Sequence, residues 1–411
     1  MRLLVVGDYN RRDFISLFEC VVDNAEIFFL EFSYELEVKN AFFEKYGKNI
    51  FWKDFSDAYD LLEKIKPNKV IFLFIESYNH IALNVACRKK KIRTYHLEHG
   101  FRSYKISKYL HANKTNINKE TNIREKAPLY VRIKTSMFFW RTVFKSKLKH
   151  AFFLFRFYLI RSRNNGFVTL KKLSSCLTVP EVFISFSPAI YEQHKVLDAF
   201  RSKIDVHFIG IPYFDRFAQI KSNKDLHSRI ALFIDHPHST KQIFGWNKEN
   251  KEKFIAEIID ICKKNKFKLL VKPHPSATVD KDCWSKMIDE DVKIVDEKDL
   301  VSILPEVKII FGFYSTLLLP LLALEHTVGF TFENHPSLIG KEFYLSEHLK
   351  ESGVSNIILN TYSLHSIFEN LEHFKNIQGN HKQSFIAKWM YKFDGRSGER
   401  LRNVLLMPNE D

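Results

Sequence analysis

What the chain lacks narrows its chemistry first. Its five cysteines, Cys20, Cys87, Cys176, Cys262 and Cys283, are scattered and never spaced as CxxC. That spacing excludes a disulfide framework and a zinc cage, and it suits a reducing, cytoplasmic compartment. No run of about 18 apolar residues, the length a membrane-crossing helix needs, occurs anywhere; the longest candidate, Ala151 to Ile160, is broken by Arg156. The opening MRLLVV meets Gly7-Asp8 at once, too short for a signal-peptide core and suited to a first buried strand. A DxD diphosphate–metal motif is missing from every strand end, since Asp289-Glu290-Asp291 lies in a polar loop. Acidic residues are absent from Lys126 to Pro180, a stretch that carries twelve Lys and Arg. Most of the formal net charge of +15 therefore sits in one segment.

What is present is ordinary globular material, 45% hydrophobic and 27% charged. A length of 411 residues exceeds one hydrophobic core and predicts two domains. Apolar runs at 2–6, 26–32, 70–75 and 94–97 read as buried strands. Helical spacing over 11–22, 34–46, 55–65 and 80–90 alternates with them. After the basic segment the strands resume at 182–186 and 206–209, and polar residues 221–228 form a linker. A second set has strands at 230–234, 268–272, 292–295, 308–311 and 327–330, helices at 248–264 and 315–324, and a mostly helical tail from Leu364. Strands alternating with helices imply parallel sheets covered on both faces. The expectation is an α/β protein of two doubly wound, Rossmann-like domains facing a cleft. The first spans 1–220, with a basic, aromatic-rich helical insertion at about 126–172; the second spans 221–411 and includes the tail. Ligands bind such sheets at the carboxyl ends of the strands, so residues that directly follow strands are the candidates.

Four segments qualify. A strand delivers Lys272-Pro273-His274-Pro275, where the prolines stiffen the loop and the imidazole can bond a phosphate oxygen. Another ends at Gly312, and Ser315 and Thr316 follow where a helix is expected to begin, an arrangement suited to an anion. Glu98-His99-Gly100 follows a strand of the first domain, with Glu98 able to take a hydroxyl proton and Gly100 allowing a sharp turn. Asp235-His236-Pro237-His238 follows the first strand of the second domain and can line a nucleotide. No third ligand accompanies its two histidines, so no metal is expected.

Taken in order, Glu98-His99-Gly100, Lys272-Pro273-His274-Pro275 and Tyr314-Ser315-Thr316 resemble the motifs of bacterial polysialyltransferases and related CMP-sugar transferases. The resemblance implies the GT-B fold, no metal and no cofactor beyond a CMP-linked sugar. Glu98 matches the first acidic residue of an acidic-acidic-Gly motif, the catalytic base. His274 matches the histidine that holds and protonates the CMP phosphate; Ser315 and Thr316 match the hydroxyl pair beside it. Lys272, Pro275, Gly312, Asp235 and His236 complete the expected donor site, and His99 and Gly100 support the acceptor loop. His99 departs from the pattern, which has a second acid there, and leaves room for a Kdo-like donor; the loop is similar to the Gln-His-Gly of capsule Kdo transferases. The implied product is a capsule or lipopolysaccharide glycan. CDP-glycerol phosphotransferases share similar His-Pro and Ser loops and form the alternative, with UDP- or GDP-hexosyltransferases and a non-catalytic nucleotide- or glycan-binding protein behind them.

Residues 130–163 interleave cations with Phe138, Phe139, Trp140, Phe144, Phe152, Phe153, Phe155, Phe157 and Tyr158. An anionic membrane surface, an acidic glycan, nucleic acid and simple packing on the first domain all suit this pattern. The expectation is peripheral attachment to the inner membrane face, with nucleic acid excluded.

Overall fold

The structure, a computed structural model, describes residues 1–7, 12–31, 44–75, 77–100, 129–164, 166–173, 175–197, 204–221, 229–341 and 343–408. The helix expected at 34–46 falls almost wholly outside these residues, as does the linker at 221–228. The chain folds into two compact units.

The first unit is built on seven strands: β1 (Arg2–Val6), β2 (Glu26–Glu31), β3 (Lys48–Phe51), β4 (Lys69–Phe72), β5 (Arg93–Leu97), β6 (Val182–Ser185) and β7 (Asp205–Phe208). All pair in parallel in the order β3-β2-β1-β4-β5-β6-β7. β4 and β6 are buried at every position, as strands covered on both faces require. β3 was not apparent in the sequence because an edge strand reading Lys-Asn-Ile-Phe lacks a continuous apolar run.

Helices α1 (Arg12–Ser16), α2 (Ala58–Ile65), α3 (Tyr78–Lys90), α4 (Leu129–Lys145), α5 (Leu148–Arg163), α6 (Gly166–Leu173) and α7 (Pro188–Leu197) complete the segment. α2 starts at Ala58 rather than near Phe55 because Asp57 caps it, accepting from the N–H groups of Tyr59 and Asp60. The basic segment is α4, α5 and α6. Its inner side is core: Phe138, Phe139, Leu154 and Phe157 are buried with Trp52, Leu83 and Ile81. Polar ties add to this packing, since Ala58 N–H donates to Thr142 Oγ1 (2.9 Å) and Lys145 Nζ to Asp57 Oδ2 (2.6 Å). Its outer side is open, with Phe144 82%, Leu148 88% and Phe152 68% exposed.

The second unit has β8 (Ile230–Ile234), β9 (Lys268–Lys272), β10 (Val292–Ile294), β11 (Val307–Gly312), β12 (Val328–Phe332) and β13 (Asn356–Ile358), all parallel, in the order β10-β9-β8-β11-β12-β13. Helices α8 (Lys248–Lys264), α9 (Val279–Ser285), α10 (Leu300–Ile303), α11 (Leu318–Ala323), α12 (Glu347–Glu351), α13 (Ser363–Glu369), α14 (Leu371–Gly379) and α15 (Lys382–Phe385) connect and cover it. Its core is aromatic-rich, with Phe233, Phe254, Trp284, Phe311, Phe313 and Phe332 in one cluster. Gly312 is dictated by close approach: a Cβ there would collide with the carbonyl oxygen of Ile234 on β8.

The division between units corrects the expected boundary at 220/221. Among the described residues the first unit runs to Tyr213, the second covers Phe214 to Gly395, and the chain from Arg396 onward rejoins the first. Part of the helical tail therefore belongs to the amino-terminal unit, through helix α16 (Ser397–Leu406). The buried Lys69 at the start of β4 explains this return. Its ammonium needs acceptors, and the last carbonyls of α16 supply them, Val404 O at 3.0 Å and Met407 O at 2.7 Å. Arg400 adds a bond from Nε to Ile209 O (2.7 Å).

Candidate active site

In the first unit the turn after β5 carries Glu98-His99-Gly100. Glu98 is fully buried, and both carboxylate oxygens are taken. Oε2 accepts from Ser185 Oγ (2.6 Å) and Phe186 N–H (2.9 Å), while His194 Nε2 lies 3.0 Å from Oε1. All three partners belong to the stretch from β6 into α7, so Glu98 fastens the turn after β5 to its neighbour. This corrects the expectation of a carboxylate laid open to an acceptor. His99, the next residue, is partly exposed, with its ring Nδ1 buried. Its ring meets Phe14 and Phe74 edge-on at centroid distances of 4.3 and 4.5 Å, and its carbonyl accepts from Tyr213 Oη (2.7 Å). Gly100 stands at a bend of the chain, without the left-handed φ that would demand glycine.

In the second unit three expected segments leave one edge of the sheet together. Lys272, Ile234 and Gly312 stand side by side across β9, β8 and β11. The chain reverses direction across the sheet between β8 and β11, the switch point where doubly wound folds bind ligands. His274 is partly exposed on the loop after β9. The backbone N–H of Ser276 donates to its Nδ1 (3.1 Å), and Ser276 Oγ lies 2.9 Å from the same atom. A backbone N–H can only donate, so Nδ1 is the acceptor and the neutral ring carries its proton on Nε2. Lys272 folds back, its Nζ donating to Pro273 O (2.9 Å), and burial lowers its pKa. It braces the loop, while Pro275 is exposed beside His274.

Ser315 and Thr316 are partly exposed. They precede helix α11 instead of starting it, because Pro320 has no N–H with which to close a helical bond back to Thr316. Ser315 Oγ accepts from Leu317 N–H (3.3 Å), and its carbonyl accepts from Leu318 N–H (3.1 Å).

Asp235 does not face a ligand. Oδ1 accepts from Lys251 Nζ (2.6 Å) and His236 N–H (2.8 Å), and Oδ2 accepts from Trp284 Nε1 (2.7 Å). Lys251 is itself fully buried and stands 3.4 Å from Asp280 Oδ1. Asp280 in turn accepts from Ser239 N–H (3.1 Å), Thr240 N–H (2.8 Å) and Thr240 Oγ1 (2.7 Å). This network holds the loop that carries His236, whose ring lies 5.8 Å from that of His274. Burial keeps His236 and His238 neutral, with pKa values well below the usual imidazole range.

Several residues that brace these loops were not anticipated: Ser185 and His194 in the first unit, and Lys251, Asp280, Trp284 and His335 in the second. One had a visible signal. His335-Pro336 follows β12 as His274-Pro275 follows β9 and His236-Pro237 follows β8, a His-Pro recurring after strands of one sheet. His335 is buried, its pKa pushed down to about 3 by that burial, and its Nδ1 accepts from Trp246 Nε1 (3.1 Å).

A family model described as alpha-2,8-polysialyltransferase matches residues 5–333. Among solved structures, the S. aureus MnaA–UDP co-structure is similar with a TM-score of 0.52 and 11% identity, covering 98% of this chain and 95% of that one. The wall teichoic acid polymerase TagF is similar with a TM-score of 0.50 and 12% identity, covering 98% and 88%. At such identities the likeness is one of fold, the two-unit GT-B architecture. No curated protein sequence matches the chain.

Proposed function

We propose, for a chain that belongs to the alpha-2,8-polysialyltransferase family and is a glycosyltransferase, that it moves a sialic acid or Kdo-like sugar from a CMP-activated donor onto a cell-surface glycan without a metal. The second unit holds the donor and the Glu98-His99-Gly100 turn of the first serves the acceptor. The observation that carries this reading is the state of His274. Ser276 N–H donates to Nδ1, so the neutral ring carries its proton on Nε2, the tautomer suited to donating to a phosphate oxygen at the sheet's switch point. Ser315 Oγ accepts from the backbone, leaving its own O–H to donate. A donor placed where charge develops on a leaving phosphate contributes about 3 kcal/mol to the transition state.

Thermal-shift measurements with CMP, CDP, UDP and GDP test the donor class. A ligand at 100 times its Kd stabilises by about 2.7 kcal/mol, or roughly 5–10 °C for units of this size. A rise with CMP alone supports the reading. A rise with CDP alone replaces it by polyol-phosphate transfer, and one with UDP or GDP by hexosyl transfer.

We assign the outer side of α4 and α5 to an anionic membrane surface, the inner membrane face, where lipid-linked glycans are extended. Exposed Phe144, Leu148 and Phe152 alternate there with Lys147, Lys149 and Arg156, and no acid lies between Lys126 and Pro180. No helix among the described residues is long and apolar enough to cross a membrane. Sedimentation with vesicles containing phosphatidylserine checks the assignment: Phe144→Ser/Phe152→Ser lowers binding at least tenfold, and equal binding by this variant refutes it.

A further inference from the structure

We infer that His238 and His335 are positioning residues whose uncharged rings lock together the loops at the carboxyl edge of the second sheet, and that acid opens this lock. The inference rests on the glycosyl-transfer reading above for what those loops hold, and it names a regulation of that donor site.

Four loops converge on these two rings. His238 stands on the loop after β8 and His335 on the loop after β12; both are buried, with ring centroids 4.9 Å apart. Trp246 Nε1 donates to His335 Nδ1 (3.1 Å) and Ser337 N–H to Phe244 O (3.0 Å), so the two loops are tied twice. Phe313, the first residue after β11, meets His238 edge-on at 4.7 Å and leads into Ser315 and Thr316. His236 lies 4.4 Å from His238, and its ring is 5.8 Å from that of His274 on the loop after β9.

Neither ring can take a proton here without loss. An indole N–H only donates, so a proton on His335 Nδ1 would face another and break the bond from Trp246. His238 lies among Phe244, Trp246 and Phe313, with its Nδ1 buried. Two of these aromatic rings are already turned to a cation: Lys251 Nζ, from α8, stands 5.6 Å from the Trp246 ring and 5.0 Å from that of Phe313. From its own loop His238 faces His236 and Lys241, neither of them an acid, while Asp235 and Asp280 are committed to Lys251. Glu333, at the end of β12, stands 3.6 Å from His335 Nε2, but its carboxylate is held by Leu345 N–H, Ser346 N–H and Ser346 Oγ. Burial accordingly keeps His238 well below the usual imidazole range and pushes His335 down to about 3.

Opening the loops lets both rings protonate near their ordinary value of 6.5. The open state then binds more protons than the closed one, and it gains as pH falls below that value, by up to about tenfold per pH unit for each ring. Between pH 7.5 and 5 the gain is about 30-fold for each.

Urea titration and CMP binding at pH 7.5 and at pH 5, on the full chain, test the lock. His238→Phe keeps an aromatic ring, His335→Asn keeps an acceptor for Trp246, and neither replacement titrates. Over this range the folding equilibrium constant of each variant falls about 30-fold less than that of wild type. Wild type also loses CMP affinity at pH 5, and either variant retains at least about fivefold more of it. Variants whose stability follows pH as wild type does overturn the lock. Variants that gain stability at pH 5 yet lose CMP affinity as wild type does overturn its hold on the donor loops. If one variant fails to fold, the other decides both arms. A wild-type chain that does not bind CMP at pH 7.5 overturns the donor reading instead, and the urea arm then decides the lock by itself.

Discussion

Replacing Lys251 by Met tests how the donor loop is held. Lys251 Nζ lies 2.6 Å from Asp235 Oδ1 and 3.4 Å from Asp280 Oδ1, and all three side chains have no solvent exposure. The methionine matches the lysine stem in volume, so the cost is electrostatic: two carboxylates remain buried without their cation. Breaking a buried ion pair by removing one partner costs about 3–5 kcal/mol. For a unit of this size that lowers the melting temperature by roughly 6–20 °C. The remaining donors decide which acid suffers. Asp280 keeps three, from Ser239 and Thr240, while Asp235 keeps only His236 N–H and Trp284 Nε1. Adding Asp235→Asn to Lys251→Met should therefore recover part of the loss, with a coupling on the order of 1–3 kcal/mol. Calorimetry of wild type, both single variants and the double closes the cycle. A Lys251→Met chain within 1 kcal/mol of wild type, or strictly additive effects, would refute the claim that a buried charge balance holds this loop.

Three further outcomes follow from other contacts. Gly312→Ala places a methyl against Ile234 O, which belongs to a backbone that cannot yield; about 3 kcal/mol of stability is lost, read as a lower melting temperature. His274→Ala lowers kcat by about 100- to 1,000-fold, with the fold intact by circular dichroism. Burial holds Lys69 at a pKa of about 8 in the folded chain, below its ordinary 10.5. The unfolded chain therefore binds more protons between these values, and stability rises with pH across that window. Below about 8 both states are protonated and the full cost of burying the charge remains. Wild type should gain on the order of 1 kcal/mol relative to Lys69→Met between pH 8 and 10, measured by urea titration at each pH; a constant difference contradicts the reading.

Much of the fold was legible because strand and helix periodicities are local. β1, β8, α8 and β9 fall on the residues where their apolar spacing places them, and the other expected strands differ by a few residues at their ends. The same locality delivered the candidate loops, since any residue directly after a strand of a doubly wound sheet lies at its ligand-binding edge. Short edge strands escaped, because β3 and β13 lack apolar runs. Ser315 and Thr316 read as a helix start because hydroxyls ahead of an apolar run signal a cap, yet Pro320, four residues after Thr316, has no N–H to close that turn.

The sequence alone determined which residues stand at the carboxyl ends of the strands: Glu98, His99, Asp235, His236, Lys272, His274, Ser315 and Thr316. Tertiary structure alone decided which of them turn inward. Glu98 and Asp235 carry the charges that looked most chemical, yet both are spent on partners far along the chain, His194 at 96 residues and Trp284 at 49. Strand spacing is set by neighbours two to four residues away. The direction of a side chain on a loop is set by whichever distant donor can satisfy it once buried, and no local pattern encodes that partner.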